Sequence, residues 1–106
     1  MAVFYPKYLF AAGFTPLTWL MFIRADCKDD APLHIHEGIH QRQMREDGVL
    51  KFWYRYLFQA RWRQLYEVEA YRAQIAAGGS RHACAAHLAG LYRLHLSFEQ
   101  AMQLLR

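Results

Sequence analysis

His36-Glu37-Gly38-Ile39-His40 is the stretch on which the reading of this chain turns. Two histidines four residues apart stack on one side of a helix, so His36 and His40 can offer imidazole nitrogens to one metal ion at about 2.0–2.1 Å. Glu37 is offset by one residue, off the metal but beside an open coordination position, where a carboxylate can take a proton from water. His36 shares its face with Leu33, His40 and Gln43, while Ile35 and Ile39 are expected to point inward. Polar groups set against a buried edge need hydrogen-bond or metal partners, and zinc is the expected one.

The helix carrying this run has readable ends. Asp30 or Ala31 is placed to cap it with Pro32 in its first turn, and Asp47-Gly48 is a stop signal. Upstream, residues 1–23 are rich in β-branched and aromatic types and are broken at Ala11-Ala12-Gly13 and Pro16. They read as two strands, about 3–10 and 17–23, forming a hairpin or small sheet.

Downstream, Val49, Trp53, Tyr56, Leu57 and Ala60 recur at helical spacing and predict an aromatic helix over 49–63. Leu65, Val68, Tyr71 and Ile75 predict a third helix closed by Gly78-Gly79. Ser80 is placed to cap a fourth through about Tyr92, and Ser97-Phe98-Glu99-Gln100 is a capping-box sequence for a short last one. The fold class expected is α+β, a single domain over 1–106 with a small amino-terminal sheet and four or five helices.

A catalytic zinc site takes a third protein ligand and keeps its fourth position open. Glu67 and Glu69 are the candidates on the third helix, and they point about 200° apart, so only one can face the ion. Glu67 borders the apolar stripe with Ala70, Tyr71 and Gln74, whereas Glu69 lies nearer Arg72, where an exposed ion pair would explain it. Residue pattern alone leaves both open.

His36-Glu37-Gly38-Ile39-His40-Gln41-Arg42-Gln43, the aromatic helix, and then Glu67-Val68-Glu69-Ala70 resemble the HExxH…ExxA arrangement of gluzincin metallopeptidases. The likeness is to the minimal "minigluzincin" type and to small bacterial and phage proteins related to it. Gly13-Phe14-Thr15-Pro16 followed by an apolar strand also looks like those proteins. The resemblance implies a zincin-like core in which His36, His40 and Glu67 ligate zinc and Glu37 is the general base of peptide hydrolysis. It further implies a sheet-edge strand that binds extended peptide, a role residues 17–23 are placed to fill. Where gluzincins often carry an aspartate that orients a ligand histidine, this chain has Tyr71, which cannot accept as an anion at neutral pH. Gln43 and Tyr71 are the candidates for supporting the ligands or stabilising a transition state. The departure at Tyr71 and the small size keep a second reading open, a silent zinc-stabilised interaction or regulatory module.

Other residues narrow the field. His34 lies on a different face from His36, and His82, His87 and His95 have no i,i+4 partner among themselves, so surface or packing roles are expected. Ten of thirteen cations are Arg and the net charge is +4, yet the cations form no run of five, which gives nucleic acid little support. Trp53, Tyr54, Tyr56, Phe58 and Trp62 with Lys51, Arg55 and Arg61 suit core packing plus a protein-partner surface, with a peripheral membrane face as the alternative. Cys27 and Cys84 form no CxxC pair, and MAVFYPKY lacks the charged start and apolar stretch of a signal peptide. A reduced, cytoplasmic setting is expected.

Overall fold

The computed structural model describes residues 1–106 and has the expected α+β architecture, with one small sheet followed by five helices. Three strands form the sheet: β1 (Ala2–Phe4), β2 (Gly13–Leu17) and β3 (Leu20–Ile23), in the order β1-β3-β2. β1 runs parallel to β3, and β2 runs antiparallel to it with a register shift between Phe14 and Leu17. The first expected strand, 3–10, therefore ends at Phe4, and β2 is a strand the sequence pattern does not predict, running through the Gly13 and Pro16 positions read as breaks. Pro6 has no N–H to give to a ladder, and its carbonyl accepts instead from Ala25 N–H at 2.8 Å.

This order corrects the substrate-strand expectation for residues 17–23. β3 is paired on both sides, so the sheet's free edges belong to β1 and β2.

α1 (Ala31–Asp47) starts where the sequence predicts, with Asp30 Oδ1 accepting from Leu33 N–H at 3.1 Å and Pro32 in the first turn. It stops at Gly48, whose φ of 88° suits a residue without a Cβ. α2 (Val49–Phe58) is shorter than expected. Gln59 is extended, at φ −129° and ψ 96°, and the chain restarts as α3 (Ala60–Ala76), so Arg61, Trp62 and Arg63 belong to the later helix. No Gly or Pro marks the break. Arg63 stabilises it by donating to the Tyr56 carbonyl near the end of α2 at 2.7 Å.

α4 (Arg81–Leu91) is capped by Ser80, and α5 (Phe98–Leu104) by a complete capping box between Ser97 and Gln100. Three apolar clusters hold the layers together. Met21, Ile23 and Leu33 join sheet to α1; Met44, Phe52 and Tyr66 join α1, α2 and α3; Tyr71, Cys84, Ala85, Leu88, Ala101 and Leu105 join α3 to α4 and α5. α1 and α3 are packed side by side between these clusters, which sets their facing polar residues together.

Candidate metal centre

The buried side of α1 carries His36, Glu37, His40, Gln41 and Gln43 together with Leu33 and Met44. This overturns the inward placement of Ile35, which is 46% exposed, and Ile39 is only partly covered. Apolar residues lie on both sides of the helix, Leu33 and Met44 opposite Ile35 and Ile39, so apolar burial alone does not decide its facing; the polar residues go inward because α3 and β2 supply their partners.

Those partners converge tightly. His36 Nε2 and His40 Nε2 lie 3.1 Å apart, and each is 3.1 Å from Glu67 Oε1. All three residues are buried, so they form a closed triangle of two imidazole nitrogens and one carboxylate oxygen that can hold a metal ion. Donors bonded to one tetrahedral ion at about 2.0–2.1 Å stand about 3.3–3.4 Å apart, close to what the triangle already shows. Without a cation the set is frustrated, because the two facing nitrogens compete for one carboxylate oxygen and His36 Nδ1 has no hydrogen-bond partner.

Surrounding residues fix the ligand atoms. Gln43 Nε2 donates to the Tyr66 carbonyl at 3.0 Å and to Glu69 Oε1 at 2.8 Å, both pure acceptors, so its Oε1 must face His40. His40 Nδ1 donates to that oxygen at 2.9 Å, which leaves Nε2 to face the triangle. Tyr56 Oη donates to Glu67 Oε2, occupying the carboxylate oxygen that does not face the histidines. His36 is held by packing, with the Tyr71 ring set edge-on at 4.4 Å between centroids. The Tyr71 hydroxyl pairs with Tyr92 at 2.6 Å and makes no bond to His36.

Charge follows this geometry. Burial opposes a proton on His40, but the Glu67 carboxylate and the hydrogen bond to it prevail and raise its pKa to about 9. Burial likewise opposes charge on Glu67, yet His40 and the bonds from both histidines hold its carboxyl well below the usual range. Tyr56 and Tyr71 are pushed up, first by burial and then by the neighbouring Glu67 charge.

Glu37 stands beside the triangle and outside it, its Oε2 3.7 Å from His36 Nε2. Thr15 Oγ1 donates to Glu37 Oε1 at 2.9 Å, across the seam between β2 and α1. Gly13, on the same strand, lies against the Glu37 side chain.

Glu69 is not drawn to Arg72 as expected. Its Oε2 pairs with Arg42 Nη2 at 2.6 Å, and its other oxygen accepts from Gln43, placing it behind His40 and away from the triangle. His34 Nδ1 bonds the Asp30 carbonyl at 2.8 Å in the first turn, and His82, His87 and His95 are exposed. Sequence reasoning gave no role to Thr15 or Tyr92. Thr15 falls within the quoted Gly13-Phe14-Thr15-Pro16 run, whereas nothing in the pattern around Tyr92 points at the site.

No protein-family model, curated protein or solved structure matches this chain.

Proposed function

We propose that the chain is a zinc-dependent peptidase in which His36, His40 and Glu67 hold the ion and Glu37 moves the protons. The observation that carries the reading is a carboxylate, Glu37, beside a buried His–His–Glu triangle without being part of it. When bound, zinc supplies Lewis acidity toward a carbonyl oxygen and lowers the pKa of the water it carries. Thr15 occupies Glu37 Oε1, so Oε2 is the atom that accepts the water proton and returns one to the leaving amine. Gln43 keeps His40 in the tautomer that exposes Nε2, and Tyr56 keeps Glu67 Oε1 toward the histidines.

An extended peptide would pair with β2, the sheet edge that borders Glu37. Pro16 lacks an N–H and its carbonyl is taken by Trp53 Nε1 at 2.9 Å, which restricts pairing to the Gly13–Thr15 half of the strand. That half lies next to the proton-transferring carboxylate.

A second reading has its own support. All four polar groups of the centre are buried, and the polar ends of Gln43 and Tyr71 are already partnered, which suits a zinc-stabilised module without turnover. Metal analysis combined with peptide-library cleavage distinguishes the two. One zinc per chain that is lost in His40→Ala, with cleavage abolished and zinc retained in Glu37→Gln, supports the peptidase. Zinc without cleavage in the wild type supports the module, and undiminished cleavage by Glu37→Gln removes Glu37 from the chemistry.

A further inference from the structure

Between Gly48 and Tyr66 the sequence has four cations, Lys51, Arg55, Arg61 and Arg63, and no acidic residue. The first 25 residues also contain none. Folding brings these two acid-free stretches together: Phe14 lies 6.0 Å from Trp53 between ring centroids, and Phe10 lies 5.0 Å from Phe14.

α2 divides its apolar residues between two directions. Phe52 is buried and Trp53 and Tyr56 are half-buried, whereas Leu50, Tyr54, Leu57 and Phe58 are 88%, 58%, 60% and 74% exposed. Positions 50, 54, 57 and 58 fall within an arc of about 100° on a helix, so they make one outward stripe. Phe10, 80% exposed, extends the apolar surface past Trp53. Arg55 is engaged by Asp47 and by the Trp62 ring, and Arg63 by the carbonyls of Tyr56 and Tyr92. Lys51 and Arg61 remain exposed for an outside partner.

We infer that this stripe is a docking face for an anionic bilayer surface, on which Leu50, Tyr54, Leu57 and Phe58 enter the interface while Lys51 and Arg61 meet lipid phosphates. Charge selects this occupant. A second copy packed symmetrically on the stripe would set cation against cation with no acidic side chain in the segment to answer them. No helix is long and apolar enough to cross a membrane, so the contact is a surface one.

Co-sedimentation of the full chain with vesicles tests this. Binding is expected to vesicles of phosphatidylcholine mixed with phosphatidylglycerol, to weaken with added salt, and to be slight on phosphatidylcholine alone. Leu50→Ser/Phe58→Ser should lower partitioning about tenfold or more. Lys51→Gln and Arg61→Gln should each lower it about fivefold, on the anionic vesicles only. Tyr54→Ser/Leu57→Ser gives an independent apolar pair, with thermal melts to verify that each variant folds as the parent does. Absent or charge-indifferent binding overturns the proposal. So does a concentration-dependent dimer that Leu50→Ser/Phe58→Ser abolishes, because a second copy would then cover the stripe.

Discussion

The backbone of Gly13 lies so close to Glu37 that a Cβ at position 13 would stand 2.9 Å from Glu37 Cγ and 3.0 Å from its carboxyl carbon. Strand β2 thereby sets the position of the carboxylate proposed to move protons, by contact at Gly13 and by the hydroxyl of Thr15 two residues on.

Gly13→Ala should push Glu37 aside while leaving the His–His–Glu triangle in place. The expected result is normal zinc content with peptide cleavage reduced by about a hundredfold, the scale of a misplacement on the order of 1 Å. Thr15→Val should act in the same direction and cost about 1–3 kcal/mol of stability, since Glu37 loses its buried donor. Steady-state kinetics beside metal analysis checks both, and a Gly13→Ala protein with unchanged kcat would show that Glu37 tolerates the shift.

Gln43→Leu removes the acceptor that holds the His40 proton on Nδ1. Zinc affinity should fall about 10–100-fold, read by competition with a chromophoric chelator. Unchanged affinity would mean that packing against Phe52 and Tyr56 orients His40 by itself.

Tyr56→Phe leaves Glu67 Oε2 buried without its donor. Loss of about 1–3 kcal/mol from the metal-free protein is expected. A changed visible spectrum of the cobalt-substituted protein should accompany it, because the carboxylate is then free to turn. A destabilised protein with an unaltered cobalt spectrum would limit Tyr56 to a structural role.

Acidity should act on the centre in two opposite ways. With no metal, His40 has a folded pKa of about 9 against an ordinary 6.5, so its ion pair with Glu67 stabilises the fold fully below 6.5 and loses that effect as pH rises through about 9. Glu67 is shifted downward, so its contribution is present above the ordinary carboxylate range and is lost as pH falls through its lowered folded value. Zinc must displace the His40 proton, so apparent affinity should rise about tenfold per pH unit between about 6.5 and 9. Competition titrations across that window check the slope, and a flat profile would show that His40 is neutral before metal arrives.

Local chemistry made part of this molecule legible. Asp30 and Pro32 at the start of α1, Gly48 at its end, and the Ser97–Gln100 box are decided within a few residues, and the structure keeps all of them. The spacing of His36 and His40 is equally local. What failed depended on distant partners: Ile35 turns outward because α3 supplies partners for the polar face, and Gln59 interrupts a continuous helical pattern with no breaker residue of its own. Pairing β1 with β3 also requires a contact across the intervening β2 segment, which alternation within a strand does not encode. Glu69 shows the same limit, since the nearest cation in sequence, Arg72, lost to Arg42 from another helix.

Tyr71 serves two neighbourhoods at once, one face of its surroundings being the Cys84–Leu88–Leu105 cluster and the other the ring of His36. The carboxy-terminal hairpin of helices is thus the outer wall of the histidine chamber, though it donates no atom to the triangle. Loosening that wall, even at Leu105 at the end of the chain, would give His36 room to swing and make ion retention a reporter of how well the last two helices are seated.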